Sequence, residues 1–450
     1  MTDSGSALLV RALEANASHT SESVRAVTAR LIRDGSLEAG MRLPTIRELA
    51  QHCGLSTRTV VAAWGELRKE GLIATNRRGG TVVAAVDRAP AGRTLADRDL
   101  LTGSPDYDLQ PDLAPAMLAG LHTERLNRPG REYITDRLRD AVIDGWPFPA
   151  EAFVAAGGGS EGLFLAVHAA APTGSLVAVE EPVMPGFLDT LADVGYEVAG
   201  IESDEFGALP DALAAVLRRS PSVVVLQPEG AYAARGALSE ARAAELAEVL
   251  RAAETVPWIV EDDAVGPLAY AQAPSLGGFF PERSVRVRSY CKAYGMDIRT
   301  CVIGGSAELV ERAIRGRVHG IAANSRILQD ALAHLIADRS TAALIETARD
   351  RYAARRSGLL AALRERGVTA RSGVNSLVVW VEVADEQSAL LGLARHGVIV
   401  GSGAKSHVAP QRPGTVRVAV PQLPDDPAAL AELAGLLADA AGATLREFLD

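Results

Sequence analysis

Two periodicities divide the chain. Up to about residue 85 the apolar positions mostly recur every three to four residues. In "RLPTIRELAQHCGLSTRTVVAAWGELRKEGLIATNRRGGTVVA", residues 42–84, Ile46, Leu49 and Ala50 share one face of a first helix. Thr45 is placed to cap it, and Glu48 three residues on closes a capping box. Gly54 supplies a turn with positive φ. Ser56 caps a second helix whose apolar face is Val60, Ala63, Trp64 and Leu67. "EGLIATNRRGGTVVA" then reads as strand, glycine turn, strand, a hairpin with Arg77, Arg78, Gly79 and Gly80 at its tip. From about residue 150 the pattern changes. "SLVAVEE", "SVVVLQP", "PWIVEDD", "VRVRSYCK" and "CVIGG" are short β-branched runs. Helical stretches such as "ELAEVLRAA" and "AIRGRVHGIAANSRILQDALAHLIAD" separate them. Strands alternating with helices predict an α/β fold, a mostly parallel sheet covered on both faces.

Between the two lies "AVDRAPAGRTLADRDLLTGSPDYDLQPDLAP", residues 85–115. It is rich in Pro, Asp and Gly and has neither period. It reads as a tether followed by an extended arm. The expected organisation is a head over residues 1–85, a linker over 86–106 and a body over 107–450. The body divides into a large part, about 107–340, and a small part, about 341–450.

Charge sharpens this division. The chain of 450 residues carries a net −10. Residues 1–85 hold 11 basic and 8 acidic side chains, a net of +3, so the remainder stands at −13. A basic head on an acidic body points to a nucleic-acid contact confined to the head. Two helices joined by a short glycine turn form the DNA-reading unit. In it, Ser56, Thr57, Arg58 and Thr59 enter the major groove, with Arg58 able to reach a guanine edge. Arg47 meets phosphate, and Arg77, Arg78 and Gly79 meet phosphate or the minor groove. A plain structural helix pair with solvated arginines is the alternative. Composition excludes other classes. No stretch of eighteen apolar residues suggests a membrane span, and no signal peptide is expected at the N-terminus. Three cysteines at unpaired spacing and scattered histidines give neither a disulfide framework nor a metal site, which suits a reducing cytoplasm.

The chemistry is in the body. Of 46 basic residues only Lys69, Lys292 and Lys405 are lysine. Lys292 follows a strand, three residues after Ser289 and seven before Arg299. Ligands of such sheets sit at the carboxyl ends of the strands. A lysine there can form a Schiff base with an aldehyde cofactor, with serine and arginine holding its phosphate. Asp262, from the end of another strand, would pair with a pyridinium nitrogen. "AAGGGSEGLFLAVHAA" adds a glycine turn, Gly157 to Gly159, and Ser160 opening an apolar helix, a phosphate seat. A solvated surface lysine is the alternative reading of Lys292.

The head resembles the GntR family of bacterial winged-helix regulators through "LPTIRELAQHCGLSTRTVVAAWGELRKEGLI", with Thr57 where that family usually has arginine. The body resembles the fold-type-I aminotransferase-like proteins. The whole chain looks like the MocR subfamily, through further stretches "EEPVMPG", "ARDRYAARRSGLLAAL", "WVEVADE", "GVIVGSG" and "TVRVAV". The resemblance implies pyridoxal 5′-phosphate on Lys292, with Asp262 at the ring nitrogen and Ser160, Gly159, Ser289 and Arg299 at the phosphate. It implies Arg417 as the ligand of an effector carboxylate, and a homodimer. Three positions depart from the family: Tyr232-Ala233-Ala234-Arg235 replaces Asn-Pro-Thr-Gly, leaving Tyr232 at the ring hydroxyl. Ala264 replaces a Tyr or His, and Met184 replaces a stacking aromatic. The expected function is a cytoplasmic regulator that binds an operator duplex and senses a small amine or amino acid. A cofactor-free regulator and a working aminotransferase are the alternatives.

Overall fold

The computed structural model describes residues 4–14, 20–33, 36–37, 40–69, 72–75, 80–83, 94–270, 272–317, 323–410 and 413–443. The chain forms two compact units, residues 1–94 and 95–450.

In the first unit the cap grammar is realised. Glu48 N donates to Thr45 Oγ1 at 3.3 Å and Thr45 N to the Glu48 carboxylate at 2.8 Å, which fixes the start of the helix Ile46–His52. Gly54 takes φ +64°. Thr59 N donates to Ser56 Oγ at 3.0 Å, so Ser56 caps the helix Thr57–Lys69. Val60, Ala63, Trp64 and Leu67 are buried and pack on Leu9, Leu13, Val24 and Ile32. Those four come from two earlier helices, Ser4–Glu14 and Ser21–Arg33. Ile73–Thr75 pairs antiparallel with Thr81–Val83, giving the wing. Its tip, with Arg77, Arg78 and Gly79, lies outside the described residues.

The second unit is built on seven strands in the order Ala152–Ala156, Cys301–Gly305, Ser284–Ser289, Trp258–Asp263, Val223–Leu226, Leu176–Glu180 and Glu197–Ile201. Only Cys301–Gly305 runs against the others, so the sheet is mostly parallel as the pattern predicts. The outermost strands, Ala152–Ala156 and Glu197–Ile201, were not among the expected runs. Each mixes alanine or glycine with its β-branched residues and lacks a clear period. The long helical stretch expected over 313–338 is two helices, Ala307–Gly316 and Arg326–Ala337, separated where Gly316 and the Asn324-Ser325 pair interrupt it. A second, four-stranded antiparallel sheet of Ala370–Arg371, Val378–Val383, Gly414–Ala419 and Gly401–Ser402 forms the small part.

The segment read as a tether is docked from Leu95 onward. Leu95 and Leu100 are buried, Ala419 N donates to Leu100 O at 2.9 Å, and Asp106 pairs with Arg355 at 2.8 Å. Its leucines are spaced irregularly because each meets a different piece of the body, so they leave no period to read.

Candidate functional site

The parallel strands end on one side of the large sheet, and a cavity of about 650 Å³ opens there. Gly159, Ser160, Tyr232, Asp262, Ser289, Lys292, Arg299 and Arg417 all line it. Asp262 and Ser289 stand at the ends of neighbouring strands. Lys292 lies in the short helical turn Cys291–Tyr294, and Arg299 sits just before the antiparallel strand with φ +41°. Gly158, at φ +123°, turns the chain into the helix Gly159–Ala170. A side chain at Gly159 would meet Ser289 Cβ at 3.0 Å, so this glycine lets the helix start come down onto the serine. Arg417 arrives from the small sheet, with Gly401 packed against its guanidinium.

Asp262 has 3% of its surface exposed, and its Oδ2 has no hydrogen-bond partner among the described residues. Burial pushes its carboxyl up to about 7, with the Lys292 ammonium pulling the other way. On the opposite face of the same strand Glu261 and Asp263 are anchored. Arg286, fully buried, pairs with Glu261 at 3.0 Å, Asp263 at 3.1 Å and also Glu229. Arg288 reaches Asp263 at 2.6 Å. Burial pushes both Glu229 and Asp263 up. Glu229 rises to about 8, while Arg286 and Arg288 outweigh burial at Asp263 and hold it below its ordinary value. Strand alternation thus clamps Asp263 and Glu261 from behind and presents Asp262 to the cavity.

Arg417 is 4% exposed. Its Nη2 donates to Leu101 O at 3.0 Å, while its Nε and Nη1 are buried without partners among the described residues. Burial lowers its pKa, with Tyr232 opposing. Two unused donors on a buried cation are costly unless an anion meets them. Asp262 presents the matching demand, an unpaired carboxylate oxygen needing a donor. These residues fit pyridoxal 5′-phosphate: a ring N–H at Asp262, an amine at Lys292, and hydroxyls, a guanidinium and a helix start at its phosphate end. The departures lie in the same wall. Ser160 Oγ donates to Met184 Sδ at 3.5 Å, and Ala264 is buried and offers no side-chain donor. Leu101–Ser104, Cys291 and Met296 also line the cavity. The sequence reading missed them because the first group falls in the apparent tether and the others look like filler.

In the head, Arg47, Ser56, Thr57 and Arg58 are exposed and Thr59 is half-buried. Ser56 Oγ and Thr59 Oγ1 lie 2.7 Å apart, so these two hydroxyls hold each other as part of the cap. Thr57 and Arg58 remain directed outward at the start of the helix.

A winged helix-turn-helix followed by an aminotransferase-fold unit defines a class of transcription regulators with a body like that of pyridoxal-phosphate enzymes. The bacterial regulatory proteins of the gntR family match residues 20–83 and the aminotransferases of class I and II match residues 81–432. The chain belongs to the class I and II aminotransferase family and, with its GntR head, to the MocR-type regulators. The vitamin B6 salvage pathway transcriptional repressor PtsJ of Salmonella typhimurium is 26% identical over 82% of this chain and 87% of its own length. The pyridoxine biosynthesis transcriptional regulator PdxR of Corynebacterium glutamicum is 26% identical over 58% of this chain and 60% of its own. The solved kynurenine aminotransferase of Pyrococcus horikoshii shares the fold at a TM-score of 0.67 and 18% identity, covering 78% of this chain and 91% of that one. No helix among the described residues is long and apolar enough to cross a membrane.

Proposed function

We propose that this regulator holds pyridoxal 5′-phosphate at Lys292 and reports a small amine or amino acid to an operator duplex. The convergence of eight separately encoded residues on one cavity carries the reading. When bound, the cofactor supplies an aldehyde that amines condense with and a ring that takes up electrons. The chain's own residues do the rest. Lys292 would tether the cofactor through its side-chain amine. Asp262 holds a proton at the ring nitrogen. Ser160, Ser289 and Arg299 would hold the phosphate beside Gly159, and Tyr232 lines the same cavity. Arg417 takes an effector carboxylate on its unused donors. Arg47, Ser56, Thr57, Arg58 and Thr59, with Arg77, Arg78 and Gly79 of the wing, meet DNA. The body forms a homodimer in the cytoplasm, so that effector binding re-spaces two heads.

Met184, Ala264 and Tyr232 argue against efficient turnover. They remove a stacking platform and ring-hydroxyl donors, which weakens transamination while sparing the lysine and phosphate anchors. A second reading is favoured by the similarity to PtsJ and PdxR, regulators of vitamin B6 salvage and of pyridoxine biosynthesis: the vitamer itself is the signal. One experiment separates them. DNA affinity is measured with pyridoxal 5′-phosphate alone, then with a panel of amino acids and amines, for the wild type and Lys292→Ala. A response that needs both cofactor and amine supports sensing of an amine. A response to the cofactor alone supports the second reading. An undiminished response in Lys292→Ala contradicts the role of Lys292.

A further inference from the structure

The recognition helix Thr57–Lys69 has an unusual solvent face. At about 100° per residue, its buried residues Val60, Ala63, Trp64 and Leu67 gather on one side. The opposite side centres on Arg58 and Gly65, flanked by Val61 and Ala62. Such a face normally carries charged or long polar side chains. Here Val61 is 47% exposed. An added Cβ at Gly65 would find no atom of the described residues within 4 Å, so none of them requires a glycine there. Glycine in a helix interior is destabilising without such a reason. An exposed branched apolar residue and an unexplained glycine, one turn apart and beside an arginine, suit a surface that something apolar and close-fitting must approach.

We propose that Val61 reads thymine. Its methyls pack on the C5-methyl of a thymine in the major groove, next to the base met by Arg58. Gly65 lets the helix backbone close on the DNA. The occupant is duplex DNA because the flanking groups are cationic or hydroxylic. Arg58 stands on this helix and Arg47 on the preceding one, in a head whose net charge opposes that of the body. Apolar contact with the thymine methyl is the groove chemistry open to a valine. This inference rests on the DNA-binding reading above.

The test uses the full-length protein and a random-sequence duplex library. Bound duplexes are selected and sequenced, and each enriched thymine is replaced in turn by uracil, which removes only the methyl. The wild type should lose about fourfold in affinity at one thymine per half-site, the worth of one buried methyl group. Val61→Ala, an exposed and harmless change for folding, should lose that discrimination but keep the base preference set by Arg58. Gly65→Ala should raise the melting temperature of the head while weakening binding to all selected duplexes. Uracil neutral at every enriched thymine, or full discrimination retained by Val61→Ala, overturns the proposal and leaves DNA binding standing. A library with no enrichment at all overturns the DNA-binding reading and the proposal together.

Discussion

The head keeps its expected DNA-contacting helix residues within 13 consecutive positions, Arg47 to Thr59, whereas the body draws its cavity from positions 316 apart, Leu101 to Arg417. The head's face is fixed by local rules. A capping box starts one helix, a positive-φ glycine ends it, and a serine starts the next. The body's cavity exists only because parallel strands all end on one side of the sheet, and because Arg417 is brought across from a second sheet. The head's site therefore depends on caps and a small core. The body's site depends on what holds strand ends in place, above all the buried ion network behind Asp262.

That contrast can be broken most forcefully at Arg286. Arg286→Ala leaves Glu229, Glu261 and Asp263 buried without their shared cation. It should destabilise the body by roughly 3–5 kcal/mol and leave the unfolding of the head unchanged in calorimetry. Equal destabilisation of both units would mean they do not fold independently. The mirror experiment is Trp64→Ala. Trp64 is 1% exposed at the centre of the head core, so its loss should cost about 3–5 kcal/mol. DNA binding should disappear while cofactor binding by the body persists. Retained DNA affinity would show that the head core tolerates the cavity.

Asp262→Asn gives a smaller, pH-dependent effect. Folding raises this carboxyl from 3.8 to about 7, so the folded chain holds the proton more tightly than the unfolded one. The stability this contributes is complete below pH about 4 and is lost as pH rises toward about 7. Asparagine has no charge to bury. The variant without cofactor should therefore gain in melting temperature over the wild type as pH climbs through that window. A difference independent of pH would contradict the burial argument. Smallest is Thr45→Ala, which removes one half of the capping box and should cost the head about 1 kcal/mol, read as a lower melting temperature of that unit alone.

The legibility of the sequence follows the same division. The two helices of the helix-turn-helix, their caps, the turn and the wing strands were readable because each is signalled within a few residues, whereas the earlier helices Ser4–Glu14 and Ser21–Arg33 were not predicted. In the body, the central strands were readable as continuous β-branched runs, and Lys292 stood out through the scarcity of lysine. The edge strand Glu197–Ile201 was not, since alanine and glycine dilute its pattern. Nor was the role of Leu101–Ser104, whose composition is that of a linker although it walls the cavity and supplies the carbonyl met by Arg417. The ion network around Arg286 left only a trace, the unexplained acids on either side of Asp262. Its partners Glu229 and Arg286 lie 57 residues apart, one just past the strand Val223–Leu226 and the other on Ser284–Ser289, with Trp258–Asp263 between those strands.

The central claim is that Lys292 is the amine that holds an aldehyde cofactor. The most direct measurement is to incubate the purified full-length protein with pyridoxal 5′-phosphate, reduce with borohydride, and map the modified peptide by mass spectrometry. The account predicts a single stoichiometric phosphopyridoxyl adduct on Lys292, absent from Lys292→Ala. Labelling spread over Lys69, Lys405 and the N-terminus, with Lys292 unmodified, would contradict it.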